Sequence, residues 1–217
     1  MVAVLTADLI NSTAYDKKTF QKVLAHLKDE FEEIASQKEA MFTIFRGDSF
    51  QGIVKQPKYA LQIALQLKAS VLKVQSTNFK KTTNPTADVR IAIGIGVAEY
   101  NENAIAESNG EAFHFSGKTL DNMKFENKKL SLKTSNEEIN GEFLVSLKFL
   151  DMLTDKWSTA SAEVVYYLLK GLKEQQIADI VSRSQAAINL RKKAAGWEEI
   201  QLLLQRFDHV MTKNYNR

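Results

Sequence analysis

Residues 88–100 read DVRIAIGIGVAEY, an alternation of apolar and small residues that predicts a central β-strand. Gly94 and Gly96 lie inside this strand. Glycine within a strand is typical of a place where another backbone approaches closely, because a larger side chain would not fit there. We therefore expect the middle of a sheet at residues 88–100, with a second element packed tightly over the two glycines.

The sequence around this strand predicts alternating strands and helices. Strands are expected at residues 2–9, 40–45, 49–54 and 130–134, helices at 16–37, 57–71 and 111–123, and a polar loop at 76–86. Their order is β-α-β-β-α-β, followed by α-β. It predicts an α+β, ferredoxin-like sandwich with its helices on one face of the sheet.

From residue 136 onward the pattern is almost entirely helical. Helices are predicted at residues 158–169, 173–181, 185–195 and 198–211, with serine caps and with Gly171 and Gly196 at helix ends. We therefore expect two domains, an α+β domain at residues 1–140 and an all-α domain at 141–217.

Composition excludes several classes of protein. The 217 residues include no cysteine, which excludes disulfides, thiolate zinc sites and cysteine nucleophiles. No apolar run is long enough to span a membrane, and the N-terminus lacks the basic start of a signal peptide, so we expect a cytoplasmic protein.

The net charge of +3 comes from the last third of the chain, which has 11 basic and 8 acidic residues from residue 143 onward. This distribution weakly favours a nucleic-acid partner.

Residues 171–191, GLKEQQIADIVSRSQAAINLR, predict a short helix, a turn and a polar helix, which is the plan of a DNA-binding helix-turn-helix at about 171–195. The segment also resembles the helix-turn-helix of sigma-factor region 4 and of response-regulator output domains. The polar helix, predicted at residues 185–195, is expected to bury Ala187, Ile188, Ala194 and Ala195. The other face of this helix would show Gln185, Ala186, Asn189, Lys192 and Lys193.

The types of residue on that face suggest their roles. Gln185 and Asn189 carry amides that can pair with adenine in the major groove, beside Ser184, which caps the helix. The cations expected to contact phosphates are Arg183, Arg191, Lys192 and Lys193. The alternative is a plain helical bundle with a solvated basic face. Lys192 favours that alternative, because it follows Ile188 by four residues, where an apolar residue is usual.

Two acids end predicted strands in the first half of the chain. Asp8 ends the first strand and Asp48 lies at the tip of the hairpin. Two such carboxylates could share one Mg²⁺ or Mn²⁺ ion, and Asn11, Ser12 and Thr13 could contact a phosphate. The alternative is that both acids only supply turn and cap chemistry.

Four short motifs resemble class III nucleotide cyclase domains. They are VLTADLINST at residues 4–13, FRGD at 45–48, VRIAIGIG at 89–96 and GEAFHFSGK at 110–118. The first two resemble the metal motifs of those enzymes. The whole chain resembles the SatD family, which pairs such a domain with a C-terminal helix-turn-helix. The resemblance implies a homodimer and a nucleotide ligand.

The motifs also depart from the cyclase pattern. His114 stands where those enzymes have a catalytic asparagine, and Lys118 where they have an arginine that stabilises the transition state. Ile44 stands in place of a lysine that reads the base. The resemblance therefore implies metal and phosphate contacts, with His114 and Lys118 near the phosphates, rather than cyclisation.

Three functions follow as hypotheses. The first is a DNA-binding transcriptional regulator whose cyclase-like domain senses a nucleotide or mediates dimerisation without catalysis. The second is an active, metal-dependent nucleotide cyclase or related nucleotidyl enzyme with a helical regulatory module. The third is an adaptor whose two domains bind only proteins.

Overall fold

The computed structural model describes residues 1–75, 87–101, 105 and 108–215. The predicted loop at 76–86 lies outside these residues. The strands are β1 Val2–Ile10, β2 Ala40–Phe45, β3 Ser49–Val54, β4 Asp88–Gly96, β5 Ala98–Glu99, β6 Asn109–Gly110 and β7 Leu130–Lys133. The helices are α1 Lys17–Lys38, α2 Ala60–Leu72, α3 Glu111–Glu126, α4 Glu137–Thr154, α5 Thr159–Leu169, α6 Glu174–Ile180, α7 Gln185–Ala194 and α8 Trp197–Tyr215. None of the described helices is long and apolar enough to cross a membrane.

The main sheet has five strands in the order β2-β3-β1-β4-β7. β1 is antiparallel to β3 and β4, and β7 is parallel to β4. The α+β class and the β-α-β-β-α-β order predicted from the sequence are confirmed. Asp8 lies opposite Ser49 of β3 and Arg90 of β4 in this register. The end of β1 therefore lies beside the β2–β3 hairpin and the start of β4.

The helices cover both faces of the sheet, so the expectation of helices on one face was wrong. Leu5 and Leu9 of β1 belong to the apolar core that α1 and α2 cover. Val4 belongs to a second cluster, with Phe113 of α3, on the opposite face. The reason is that residues 2–5 are apolar on both sides of the strand, a pattern that requires two covering layers.

The close approach expected at the two glycines is confirmed. A Cβ atom added to Gly94 would lie 2.2 Å from the carbonyl oxygen of Ala112 and 2.5 Å from the amide nitrogen of Ser116. A Cβ atom at Gly96 would lie 2.5 Å from a carboxylate oxygen of Glu111. The glycines therefore let the backbone of α3 pack directly on β4.

The C-terminal helices form as the sequence predicts, and they share the core of the sandwich. Ser158 and Ser184 cap α5 and α7 through their side chains. Phe143, Trp157 and Phe207 belong to the same apolar cluster as the strand residues on the α1/α2 face. The domain boundary at residue 140 therefore stays a prediction, and the apolar core continues across it.

A buried polar contact also joins the two halves. The carboxylate of Glu30 on α1 is 3% exposed. It accepts hydrogen bonds from the Tyr166 hydroxyl of α5 and, at 2.9 Å, from the Gln66 amide of α2. The ammonium group of Lys170 lies 3.7 Å from it and also pairs with Glu33. Because buried charges need such partners, this cluster fixes the position of α5 on the sandwich.

Lys73 at the edge of this cluster should make stability depend on pH. Its ammonium nitrogen lies 3.2 Å from the centroid of the Tyr166 ring, and burial lowers the pKa of Lys73 to about 8. An unfolded lysine keeps its proton to about pH 10.4, so between about pH 8 and pH 10 the unfolded chain binds more protons and stability rises with pH. Burial raises the pKa of Tyr166, so this tyrosine opposes the effect only as the pH nears about 10, where an unfolded tyrosine loses its proton.

Urea unfolding at about pH 7.5 and about pH 9.5 measures this rise. The free energy of unfolding should increase at the higher pH in the wild-type protein. The increase should disappear in Lys73→Met, which keeps the length of the side chain and removes the charge. An equal increase in both proteins would show that another group causes it.

Candidate functional site

Asp8 lies at the end of β1 with two cations around its carboxylate. The Arg90 guanidinium donates to both carboxylate oxygens, at 3.1 and 3.3 Å, and the Lys124 ammonium lies 3.2 Å away. The Asp8 side chain is 14% exposed. Arg90 and Lys124 were missed from the sequence, because the pairing of β1 with β4 and the packing of α3 bring them to Asp8. The negative charge of Asp8 is therefore balanced within the protein.

Asp48 lies at the same edge of the sheet, after a turn in which Arg46 and Gly47 both have positive φ. One of its carboxylate oxygens accepts a 2.6 Å hydrogen bond from the Ser12 hydroxyl. Its carbonyl oxygen accepts from the amide of Leu9 at 2.9 Å. The structure thus places Asp8, Ser12 and Asp48 at one edge, and Asp48 holds the segment that follows β1.

This arrangement does not fit a resident divalent cation. Mg²⁺ and Mn²⁺ need several oxygen ligands, and the described part of the chain contains no group of three or more acids or histidines placed to hold a metal. Arg90 and Lys124 would also repel a cation at Asp8. A metal at Asp8 and Asp48 stays a prediction, and these ion pairs oppose it.

The residues predicted to contact a phosphate do not come together. Asn11 and Thr13 are exposed after β1, and Ser12 is bonded to Asp48. His114 and Lys118 are exposed on α3. The first turns of α3 lie over Gly94, which is opposite Val4. His114 is therefore on the part of α3 that lies over the start of β1, whereas Asn11 follows the end of β1.

A second candidate site is formed by α5, α6 and α7. These helices share a small apolar core of Val164, Ile177, Ala178 and Ile188. Between α6 and α7 the chain turns at Ser182, which has a φ of 52°. Ile188 is completely buried and holds α7 against the other two helices. One side of α7 is thus fixed to the protein.

Two residues expected on the open side of α7 instead contact α6. The Lys192 ammonium lies 2.9 Å from a carboxylate oxygen of Glu174, and the Asn189 amide donates to the other oxygen at 3.5 Å. The hydrogen bond from Lys192 lowers the pKa of Glu174. An ion pair between helices therefore takes the place of the apolar contact expected at Lys192. Asn189 and Lys192 are therefore only partly exposed, and their place on the DNA-binding face stays a prediction.

The exposed face of α7 has a different set of residues from the one predicted. Ala194 is exposed rather than buried, Leu190 is 69% exposed, and Arg191 is half-buried. Among the described residues, no acid forms an ion pair with Arg183, Arg191 or Lys193. The exposed residues in and before α7 are Arg183, Ser184, Gln185, Ala186, Leu190, Lys193 and Ala194. This face combines free cations, an amide and small or apolar side chains.

No family model matches the chain, and no curated protein matches it. The solved structures that the chain resembles at low similarity include three nucleotide cyclases. A bacterial light-regulated adenylyl cyclase is 11% identical over 60% of this chain and 74% of its own, with a TM-score of 0.40. The catalytic core of a rhodopsin-guanylyl cyclase with converted specificity, in complex with ATPalphaS, is 20% identical over 55% and 70%, with a TM-score of 0.37.

The third is the non-canonical dimeric guanylyl cyclase domain of the RhoGC fusion protein from the aquatic fungus Blastocladiella emersonii. It is 18% identical over 54% of this chain and 83% of its own, with a TM-score of 0.32. Because the TM-scores are below 0.5, these similarities do not support an inference about the activity of this protein. The cyclase-like and SatD-like resemblances therefore stay predictions.

Proposed function

We propose that this protein is a transcriptional regulator that binds double-stranded DNA through α7, with α6, the turn and α7 acting as a helix-turn-helix. The observation that carries the proposal is the position of α7. Ile188 holds one side against α5 and α6, the side with Lys193 is exposed, and Gln185 is exposed in the first turn of α7, next to Arg183. This is the arrangement of a helix that enters a groove while its neighbours hold it.

The chemistry of the exposed face suits a DNA duplex. The Gln185 amide can pair with adenine, and Ala186 and Leu190 can contact thymine methyl groups in the major groove. Arg183 and Lys193 are exposed and can contact phosphates, although the Arg183 guanidinium also donates to the carbonyl oxygen of Ser182 at 2.9 Å. Asn189 and Lys192 support this surface indirectly, because they fix α7 to Glu174 of α6.

We assign the α+β part to dimerisation or to sensing a nucleotide. The ion pairs of Asp8 with Arg90 and Lys124 argue against cyclisation, which needs that carboxylate to act on a metal. Glu30 and its partners would connect the sensing part to α5, on which α7 rests. A change in the sandwich would therefore reach the DNA-binding surface through α5.

Salt dependence of duplex binding tests the proposal. Fluorescence anisotropy with a labelled random-sequence duplex should show binding at about 50 mM salt that weakens steeply by about 200 mM. Contacts from Arg183 and Lys193 predict a slope of log K against log salt of about −1.8 for each subunit. Undetectable binding at the lower salt concentration, or a slope near zero, would contradict the proposal.

A further inference from the structure

An apolar patch covers the outer side of α4. The described residues include ten large apolar side chains that are more than half exposed, and four of these are Leu144, Val145, Phe149 and Met152 of α4. Val145, Phe149 and Met152 are separated by four and then three residues, so they lie on the same face of α4. On α8, Glu199 and Leu203 line a cavity together with Phe149, so the patch borders this helix.

The patch is comparable to the largest apolar patch that a typical monomer exposes, and patches of that size often mark an interaction site. Phe149, whose ring is the largest contributor, and the three α4 side chains around it are each more than half exposed and together offer roughly 400 Å². Monomeric proteins rarely expose contiguous apolar surface beyond a few hundred Å². A stable interface buries about 800 Å² on each partner, and the polar rim of this patch can supply the remainder.

The patch is also complementary to itself. Phe149 protrudes with 63% of its surface exposed. Beside it, between α4 and α8, lies a cavity of about 360 Å³ lined mainly by Leu150, Met152, Leu153, Ile200 and Leu203. A two-fold interface brings the same patch of both copies together, so that patch must contain both the protruding group and the cavity that receives it. This patch contains both.

The charges at the rim agree with this pairing. Lys148 lies on the exposed face of α4, and Glu199 lies at the edge of the cavity. Within the part of the chain that the structure describes, neither forms an ion pair. In a two-fold arrangement, Lys148 of each copy can approach Glu199 of the other, which adds attraction at the edge of the apolar contact.

We propose that the α4 face binds a second copy of this chain, with Phe149 of each copy inserted into the cavity between α4 and α8 of the other. This dimer goes beyond the proposed DNA binding, because it names the surface that pairs two helix-turn-helix units and places it on α4 and α8, which leaves nucleotide sensing as the role of the α+β part. It does not depend on that function, since the contacts lie on α4 and α8 and not on the exposed face of α7.

The mass of the protein in solution tests the dimer. Light scattering after size exclusion should give about 49 kDa for the wild type, twice the 24.5 kDa of one chain. The double variant Val145→Glu/Phe149→Glu should have the mass of one chain, with a dissociation constant raised at least about 100-fold. Val97→Glu is the matched control, because Val97 is 59% exposed and Val145 is 58% exposed. Val97 follows the last residue of β4, outside α4 and α8, and Val97→Glu should leave the dimer intact.

A wild-type protein that is monomeric at high micromolar concentration overturns the proposal, and so does a double variant that still dimerises. Circular dichroism shows whether the double variant is folded.

A second measurement, disulfide cross-linking, tests the dimer without a substitution that disrupts it. The chain has no cysteine, so Phe149→Cys or Val145→Cys should give a disulfide-linked dimer on oxidation, and Val97→Cys should not. Equal cross-linking at all three positions, or none at 145 and 149, also overturns the proposal. None of these tests uses DNA, so the dimer and the DNA binding can fail separately.

Discussion

Replacing Arg183 and Lys193 together by glutamate should weaken duplex DNA binding about 100-fold at moderate salt, because two phosphate contacts become two repulsions. Both side chains are exposed, and neither forms an ion pair among the described residues, so the fold should tolerate the change. Anisotropy titration of the variant and the wild type at one salt concentration measures the loss.

The control has the same change in net charge at another place. Lys22 and Lys28 are exposed on α1, so Lys22→Glu/Lys28→Glu should keep the affinity within about threefold. An equal loss in both double variants would mean that the overall charge of the protein attracts DNA, and α7 would lose its assigned role.

Replacing Glu30 by leucine should lower the free energy of unfolding by about 3–5 kcal/mol, because it leaves buried polar groups without a partner. The hydroxyl of Tyr166 and the amide of Gln66 both donate to Glu30, and Lys170 lies beside it. Urea unfolding followed by circular dichroism measures the loss. Glu30→Gln, which keeps an acceptor of the same size, should lose less.

Glu33 provides a matched control on the same helix. It pairs with the same lysine, Lys170, but its side chain is 32% exposed. Glu33→Leu should therefore cost less than about 1 kcal/mol, as is usual for partly solvated ion pairs. Equal losses at positions 30 and 33 would show that burial of the Glu30 cluster does not determine the strength of this contact.

Most of the fold could be predicted from local sequence. The strand at 88–96, the close approach at Gly94 and the caps Ser158 and Ser184 each follow from patterns within a few residues of one another. The side of the sheet on which α3 packs could not be predicted in this way. A helical pattern shows which residues are buried but not which surface covers them.

The candidate sites depended more on distant contacts. Arg90 reaches Asp8 across 82 positions of the chain, so only the strand register reveals that the acid is already paired. The sequence alone shows that Lys192 occupies a position where such a helix usually has an apolar residue. Its partner Glu174 lies 18 residues earlier on another helix, and the angle between α6 and α7 decides whether the two meet.

Cross-linking from Ala186 tests the central claim most directly. Ala186 is small and exposed on α7, and the chain has no other cysteine to compete with Ala186→Cys. With a photoreactive label at this position, illumination in the presence of a duplex should attach the protein covalently to DNA. The same label on Val97→Cys should give no product. Absence of a product at 186, or equal yields at the two positions, would contradict the assignment of α7 as the DNA-binding helix.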